Sequence, residues 1–326
     1  MKIPGSVIDC LLSSDEPWTV YNTLTDLLDV AEEDERAQRA KRKMLSHPMI
    51  LSLLDELQNW PGKVISSHKS AGQLYHKLSF IADIGLKVTD ETVFGIVQRI
   101  LKYQSSDGII RLPVVVPVHF GGSGREEAAW ALCDAPLILY SLAKMGLKYQ
   151  EGVKKAIVHL ISLSRQNGWP CAVSEELGRF RGPGRKDDPC PYATMLMLKL
   201  MSLYDDLKES KEAHYGTGCL LGLFENSRTL HPYMFYAGTD FRKLKVPYIW
   251  YDILHAVYIL SQFSHTHTDS RYKEMLEIIY SKADKEGLFT PESEWKAWSA
   301  AGIGSKKRPS PWLTYQVYSI TKTSAP

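Results

Sequence analysis

Hydrophobic positions along this chain follow two rhythms, both helical. In one series of segments nearly every position is apolar: GQLYHKLSFIADIG, REEAAWALCDAPLILYSLAKMG, PYATMLMLKLMSLY and PYIWYDILHAVYILSQF. In the segments that follow each of these, TDETVFGIVQRILKYQ, EGVKKAIVHLISLSRQ, KEAHYGTGCLLGLFEN and DSRYKEMLEIIYSKAD, apolar residues line one stripe and the opposite face is polar. The first pattern predicts buried helices and the second amphipathic ones. Gly85 and Gly146 close two of the buried helices, and a last helix, SPWLTYQVYSI, ends the set. Corresponding points recur about every 60 residues from Pro61 onward, at the long end of helical-pair repeats. Wholly buried helices alternating with half-exposed ones predict concentric layers, because an open solenoid would leave every helix half-exposed. The expected architecture is therefore all-α, a closed double ring of inner and outer helices. β-structure has little support, since RLPVVVPVHF is the one β-branched run and two prolines interrupt it.

Residues 1–60 read as a helical extension ahead of an α/α domain over 61–326. Thr23, Leu24, Leu27 and Leu28 give an apolar stripe, and Glu32/Arg36 with Glu35/Arg39 at i,i+4 describe a solvated helix face. Pro48 marks a further helix start, and Asn59-Trp60-Pro61-Gly62 ends it.

Composition narrows the class without choosing a function. The mean hydropathy of −0.21 is that of a soluble globular chain. No apolar run approaches the roughly 20 residues of a membrane span, and the first residues make a poor signal peptide. The five cysteines, Cys10, Cys133, Cys171, Cys190 and Cys219, are odd in number and widely spread. That suits reduced thiols and a cytoplasmic location.

The net charge of +2 says little, but its distribution says more. Arg179, Arg181, Arg185 and Lys186 precede the third buried helix; Arg242, Lys243 and Lys245 the fourth; Lys306, Lys307 and Arg308 the last; Lys69 and Arg125 stand in the earlier loops. In a double ring these loops lie at one end, beside helix N-termini whose free N–H groups also favour anions. Tyr192, Tyr248, Trp250, Tyr251 and Trp312 read as first-turn residues of the same helices. An aromatic cavity with a cationic rim suits a prenyl diphosphate, and equally a nucleotide or a flipped base. The same residues also serve as a solvated loop surface and ordinary packing aromatics.

Three outer helices end alike, in Gln104-Ser-Ser-Asp-Gly108, Gln166-Asn-Gly168-Trp169 and Asp284-Lys-Glu-Gly287-Leu-Phe. This resembles the Gln…Gly-Trp/Phe turn of the terpenoid cyclase and protein prenyltransferase superfamily, whose members fold as α/α toroids around a central cavity. The Asp-x-Asp-Asp motif of the proton-initiated cyclases is missing, as Asp187-Asp188 and Asp205-Asp206 lack the leading acid. Asp188-Pro189-Cys190 is similar to the Asp-x-Cys zinc pair of the prenyltransferase β-subunits. The resemblance implies zinc held by Asp188, Cys190 and His255, although alignment of the family's Tyr-His puts Asp252 at the third position. Three such ligands leave a fourth place open, where a thiol would become a nucleophile. The alternative for these residues is structural: a helix start, a buried thiol and a hydrogen-bonded core histidine. Without a metal, Asp252 and Asp134 on the inner helices are the candidate acids.

Three functions fit. The first is a prenyltransferase-like enzyme acting on an anionic, partly apolar ligand. The second is a nucleic-acid-binding or repair protein using the same basic loops, with steep salt dependence. The third is a non-catalytic toroid binding a peptide or protein. The family's heterodimeric members need a helical α-subunit, on which these residues are silent.

Overall fold

Proline or a small polar residue starts most of the helices, and a left-handed glycine stops several of them. The computed structural model describes residues 3–324 apart from Arg179, Arg181 and Pro183, with the backbone alone at Met234. The two arginines proposed for anion binding, Arg179 and Arg181, thus lie outside the described residues. In chain order the helices are α1 (Gly5–Leu12), α2 (Pro17–Asn22), α3 (Glu35–Leu45), α4 (Pro48–Leu57), α5 (Leu74–Asp83) and α6 (Glu91–Leu101). A hairpin of β1 (Leu112–Val115) and β2 (Glu126–Ala129) follows. Then come α7 (Ala135–Leu142), α8 (Glu151–Ser162), α9 (Pro191–Met201), α10 (Asp205–Lys208), α11 (Lys211–Glu225), α12 (Ile253–Leu260), α13 (Ser270–Tyr280) and α14 (Pro311–Thr323). The chain is mostly helical, with this one antiparallel pair as the sheet among the described residues. None of the described helices is long and apolar enough to cross a membrane.

Two units emerge, residues 54–238 and a second that joins residues up to Leu53 to those from Thr239 onward. In the first, every residue of α7 and α9 is buried, as is α5 from Tyr75 to Ala82. Against them lie helices with one buried stripe, Val93, Ile96, Val97 and Ile100 in α6 and Val153, Ala156, Ile157 and Leu160 in α8. Helix α5 packs on α7, α7 on α8 and α9, and α9 on α11. Each fully buried leucine or methionine of α9 contributes roughly 2 kcal/mol of hydrophobic stabilisation. In the second unit α12 packs on α13 and α14, and α14 on α1 and α2. The first helices, expected as an extension, therefore complete a unit with the end of the chain.

Two further expectations change. RLPVVVPVHF does supply a strand: Leu112 and Val114 point inward, and it pairs with residues 126–129, read from sequence as the start of a helix. That helix begins only at Ala135, after Asp134, with Pro136 in its first turn. Likewise α12 begins at Ile253, so Tyr248, Trp250 and Tyr251 lie in the loop before it and not in its first turn.

The glycine turns are real and alike. Ser105 N–H donates to Ile109 O at 3.0 Å and Gly108 N–H to Ser105 O at 2.9 Å; Asp284 N–H donates to Leu288 O at 2.9 Å and Gly287 N–H to Asp284 O at 3.0 Å. The middle copy is one residue tighter, with Arg165 and Gly168 exchanging both bonds. Gly108 has φ of +85°, and a Cβ there would meet the Gly152 carbonyl oxygen at 2.0 Å, so no other residue fits. The residue after the glycine turn is then clasped to the next buried helix. Trp169 N–H donates to Thr194 Oγ1 at 2.9 Å, and Phe289 N–H donates to Thr314 Oγ1 at 3.0 Å.

Candidate functional site

In the unit of residues 54–238, the starts of α5, α7 and α9 gather a set of reactive side chains. Asp134 holds the N-cap position of α7, where an aspartate normally accepts from the N–H groups of its own first turn. Here it does not. Its Oδ1 accepts from Ala131 N–H at 3.2 Å and its Oδ2 binds His68 Nε2 at 2.7 Å. Asp134 is wholly buried and His68 only partly so. The His68 carbonyl accepts from the Tyr75 hydroxyl at 3.2 Å, which fixes the histidine's backbone to α5. A carboxylate on one imidazole nitrogen fixes the ring's tautomer and orientation. Asp134 was expected as an acid; its partner His68, in a polar loop with no pattern around it, was not.

Next to Asp134, interaction with Cys190 and then burial push the Cys133 thiol well up. Cys190 is the N-cap of α9, and Cys190 N–H donates to Trp169 O at 2.6 Å. Interaction with Cys133 holds the Cys190 thiol below its ordinary pKa although burial opposes it, with the Ala193 and Tyr192 backbone acting in the same direction. Asp188, two residues before Cys190, is not the helix cap. Its Oδ2 accepts from Arg185 N–H at 2.9 Å, in the turn that carries Arg185 and Lys186 exposed to solvent. Tyr192 is fully buried.

Further along the same helices runs a buried polar stripe. His76, Ser79 and Asp83 share a face of α5. Lys199 of α9, 0 % exposed, donates to Asp83 Oδ2 at 3.0 Å and Ser79 Oγ at 3.3 Å, and sits 4.5 Å from the centre of the Tyr140 ring. Asp83 also accepts from the Tyr140 hydroxyl at 2.6 Å and from Lys144 at 3.4 Å. Burial alone would raise the Asp83 carboxyl, but Lys199, Lys144 and Tyr140 together hold it below its ordinary range. Sequence offered a signal: a lysine in TMLMLKLM and an aspartate in FIADIG, each inside a helix apolar all round, require partners.

His76 has neither ring nitrogen hydrogen-bonded and is buried. Burial first, then the Lys199 charge, lowers its pKa to about 3, so it is neutral at pH 7. Its contribution to stability is complete above the unfolded value of 6.5 and declines as pH falls towards 3. Replacing His76 by leucine is expected to stabilise the protein by about 1 kcal/mol at pH 7 and to move acid unfolding to lower pH. Urea denaturation across pH 3–7 reads both, and destabilisation at pH 7 would show that the imidazole is needed where it is.

In the other unit, Asp252 caps α12 through Oδ1, which accepts from His255 N–H at 3.0 Å, while Oδ2 is buried with no hydrogen-bond partner. Burial raises its pKa to about 7 against the opposing pull of the His255 N–H and Lys245. His255 Nδ1 lies 3.1 Å from Trp250 O, and its ring stacks on Tyr248 at 4.8 Å. Tyr248 stacks in turn on Tyr258, and Trp312 stacks on Tyr315. Phe241 packs against Tyr251. Lys245 is buried and Lys243 half-buried, and both are bound to Asp240, at 2.7 Å and 3.3 Å. That pairing takes two cations out of the expected basic set and leaves Arg242, Lys306, Lys307 and Arg308 as its exposed members here.

The residues of the expected zinc centre divide, with Asp188 and Cys190 in one unit and Asp252 and His255 in the other. No protein-family model matches the chain, and no curated protein matches it in sequence.

Proposed function

We propose that the chain is an enzyme of prenyltransferase-like class, in which His68, oriented by Asp134, moves a proton at an anionic, partly apolar substrate. The observation that carries this reading is Asp134 itself. It forgoes the N–H groups of α7 and spends a buried carboxylate on an imidazole. A buried charge costs several kcal/mol unless it is paired, and a cap would have served the helix without one.

The substrate class follows from the loop that leads into α9, where Arg185 and Lys186 stand exposed ahead of buried Tyr192. Guanidinium and ammonium groups suit a diphosphate, and apolar helices suit the chain it carries. With a thiol acceptor, His68 takes the S–H proton, sulfur bonds to the carbon bearing the diphosphate, and diphosphate leaves with the electron pair of the broken C–O bond. The double-ring arrangement belongs to the same proposal, supported by the alternation of wholly buried and one-faced helices. No step of this proposal runs through zinc.

The test is diphosphate release from farnesyl diphosphate with a small thiol. His68→Gln and Asp134→Asn are each expected to lower the rate about 100-fold or more while leaving binding within a few-fold. Arg185→Ala with Lys186→Ala is expected to weaken binding about 10-fold, with a smaller effect at high salt. If no prenyl diphosphate binds while single-stranded nucleic acid does so with a steep salt slope, the nucleic-acid reading replaces this one.

A further inference from the structure

Helix α3 packs on α2, and these two helices with the end of α1 line a cavity of about 600 Å³. The sequence builds its walls separately. Val20, Leu24 and Leu28 recur every fourth residue along α2 and the helical turn Thr23–Leu27 that continues it, and all three line the cavity. Leu24 is buried, Val20 half-buried and Leu28 41 % exposed. Asp29, with φ of +52°, then turns the chain, and Val30 N–H donates back to Leu24 O at 2.9 Å. Helix α3 follows, with Arg36, Arg39 and Lys43 at i, i+3 and i+7 as the other wall. All three cations are exposed, and Arg36 is fixed by Asp34, which accepts from its Nε and Nη2 at 3.0 Å each.

We propose that this cavity binds a medium-chain carboxylate, with its head on Arg39 and Lys43 and its alkyl chain along Val20, Leu24 and Leu28. Three observations select that ligand. The volume falls in the range of about 300–1,000 Å³ that small-molecule sites occupy. The apolar wall runs along the cavity beside the cations, so a ligand that fills it has an apolar body and an anionic end. The charge count limits that end. The lining holds one acid, Asp15, and Asp34 already binds Arg36, so three cations against two carboxylates leave a single positive charge to neutralise. A carboxylate supplies one negative charge and accepts the fork of donors that an arginine presents. The site lies within residues 1–53 and is independent of the proton-transfer reading, because it needs neither His68 nor a prenyl substrate.

Calorimetric titration of the full-length protein with sodium decanoate, kept below its micelle threshold, is expected to show one saturable site. Octanoate is expected to bind about 15-fold more weakly, because two buried methylenes are lost. Decyltrimethylammonium, with the same chain and the opposite charge, is expected not to bind. Arg39→Glu with Lys43→Glu, and separately Leu28→Asp, are each expected to weaken decanoate binding about 10-fold or more. All three positions are exposed, so these variants are expected to melt as the wild type does. Methyl NMR of the wild-type protein is expected to show decanoate shifting Val20, Leu24 and Leu28. Equal affinity for decanoate and the ammonium probe, no difference between octanoate and decanoate, or undiminished binding in the double variant would each overturn the proposal. So would methyl shifts confined to residues 54–238. The wild-type titrations and the NMR map do not depend on any variant folding.

Discussion

Asp252→Asn is expected to make the protein more stable at pH 8, by about 3 kcal/mol, and to make no such gain at pH 4. The sign follows from the raised carboxyl. Unfolded, Asp252 titrates near 3.8; folded, it titrates near 7 because burial disfavours its charge. Between those values the folded state holds a proton that the unfolded state has released, so stability falls as pH rises through the window. The stability associated with the neutral carboxyl is complete below 3.8 and gone above 7. The difference, about 3 pH units, corresponds to roughly 4 kcal/mol. Asparagine keeps the oxygen that accepts from His255 N–H and carries no charge, at the cost of an amide N–H₂ group that needs a partner. Thermal melts at both pH values check this, with an expected rise in midpoint of about 10 °C at pH 8. Hydrogen exchange of the α12 amides identifies the transition concerned. An Asp252→Asn variant that melts lower than wild type at pH 8 would mean that the ionised carboxylate has a partner of its own in solution.

The second large effect is an asymmetry inside the stripe of α5 and α9. Asp83→Asn strands Lys199 in a dry interior, and the expected loss is about 3–5 kcal/mol. Lys199→Met is milder, about 1 kcal/mol, because Asp83 keeps the Tyr140 hydroxyl and Lys144, and methionine fills the space of the lysine stem. The double variant is expected to sit close to Lys199→Met alone, so the charges couple by several kcal/mol in a double-mutant cycle. Urea denaturation of the four proteins at pH 7 supplies the cycle. Equal losses from the two single changes would indicate that water reaches Lys199 and that the pair is not desolvated.

Much of the architecture was legible because burial leaves a periodic trace. The all-round apolar segments became the buried helices, and Gly85, Gly146, Gly108, Gly168 and Gly287 all adopt the left-handed backbone their turns require. The strand pair was hidden. Arg125–Ala129 carries helix-forming residues, and its partner run holds Pro113, so local propensity pointed away from the pairing that tertiary contact enforces. The loop Tyr248–Tyr251 looked like a helix start because Tyr248, Ile249 and Tyr251 are buried, which in sequence is indistinguishable from a continuing apolar face.

The site was less legible, for a different reason. Cys190 could be named from its position at a helix start and Asp134 from its place in an apolar helical segment, but what they touch could not. His68 meets Asp134 across 66 residues and Lys199 meets Asp83 across 116, and no local pattern encodes a partner at that distance. The basic loops were read as one class because charge is visible in sequence and pairing is not. Asp240 neutralises Lys243 and Lys245 from three and five residues away.

The threonine clasps set terms for how this chain can change. Trp169 is tied to Thr194 and Phe289 to Thr314, and in both cases the two residues stand 25 positions apart. Each clasp pins the far end of one repeat to the first turn of the next, so the segment between is a tethered bight of chain. Its ends are fixed whatever its middle contains. Exposed residues in the middle can be exchanged, and the segment lengthened there, at the small cost of closing a longer loop, about 0.6 kcal/mol per doubling. The scaffold can therefore accept new loops at Arg185 or Lys306 without the helices that frame them having to move.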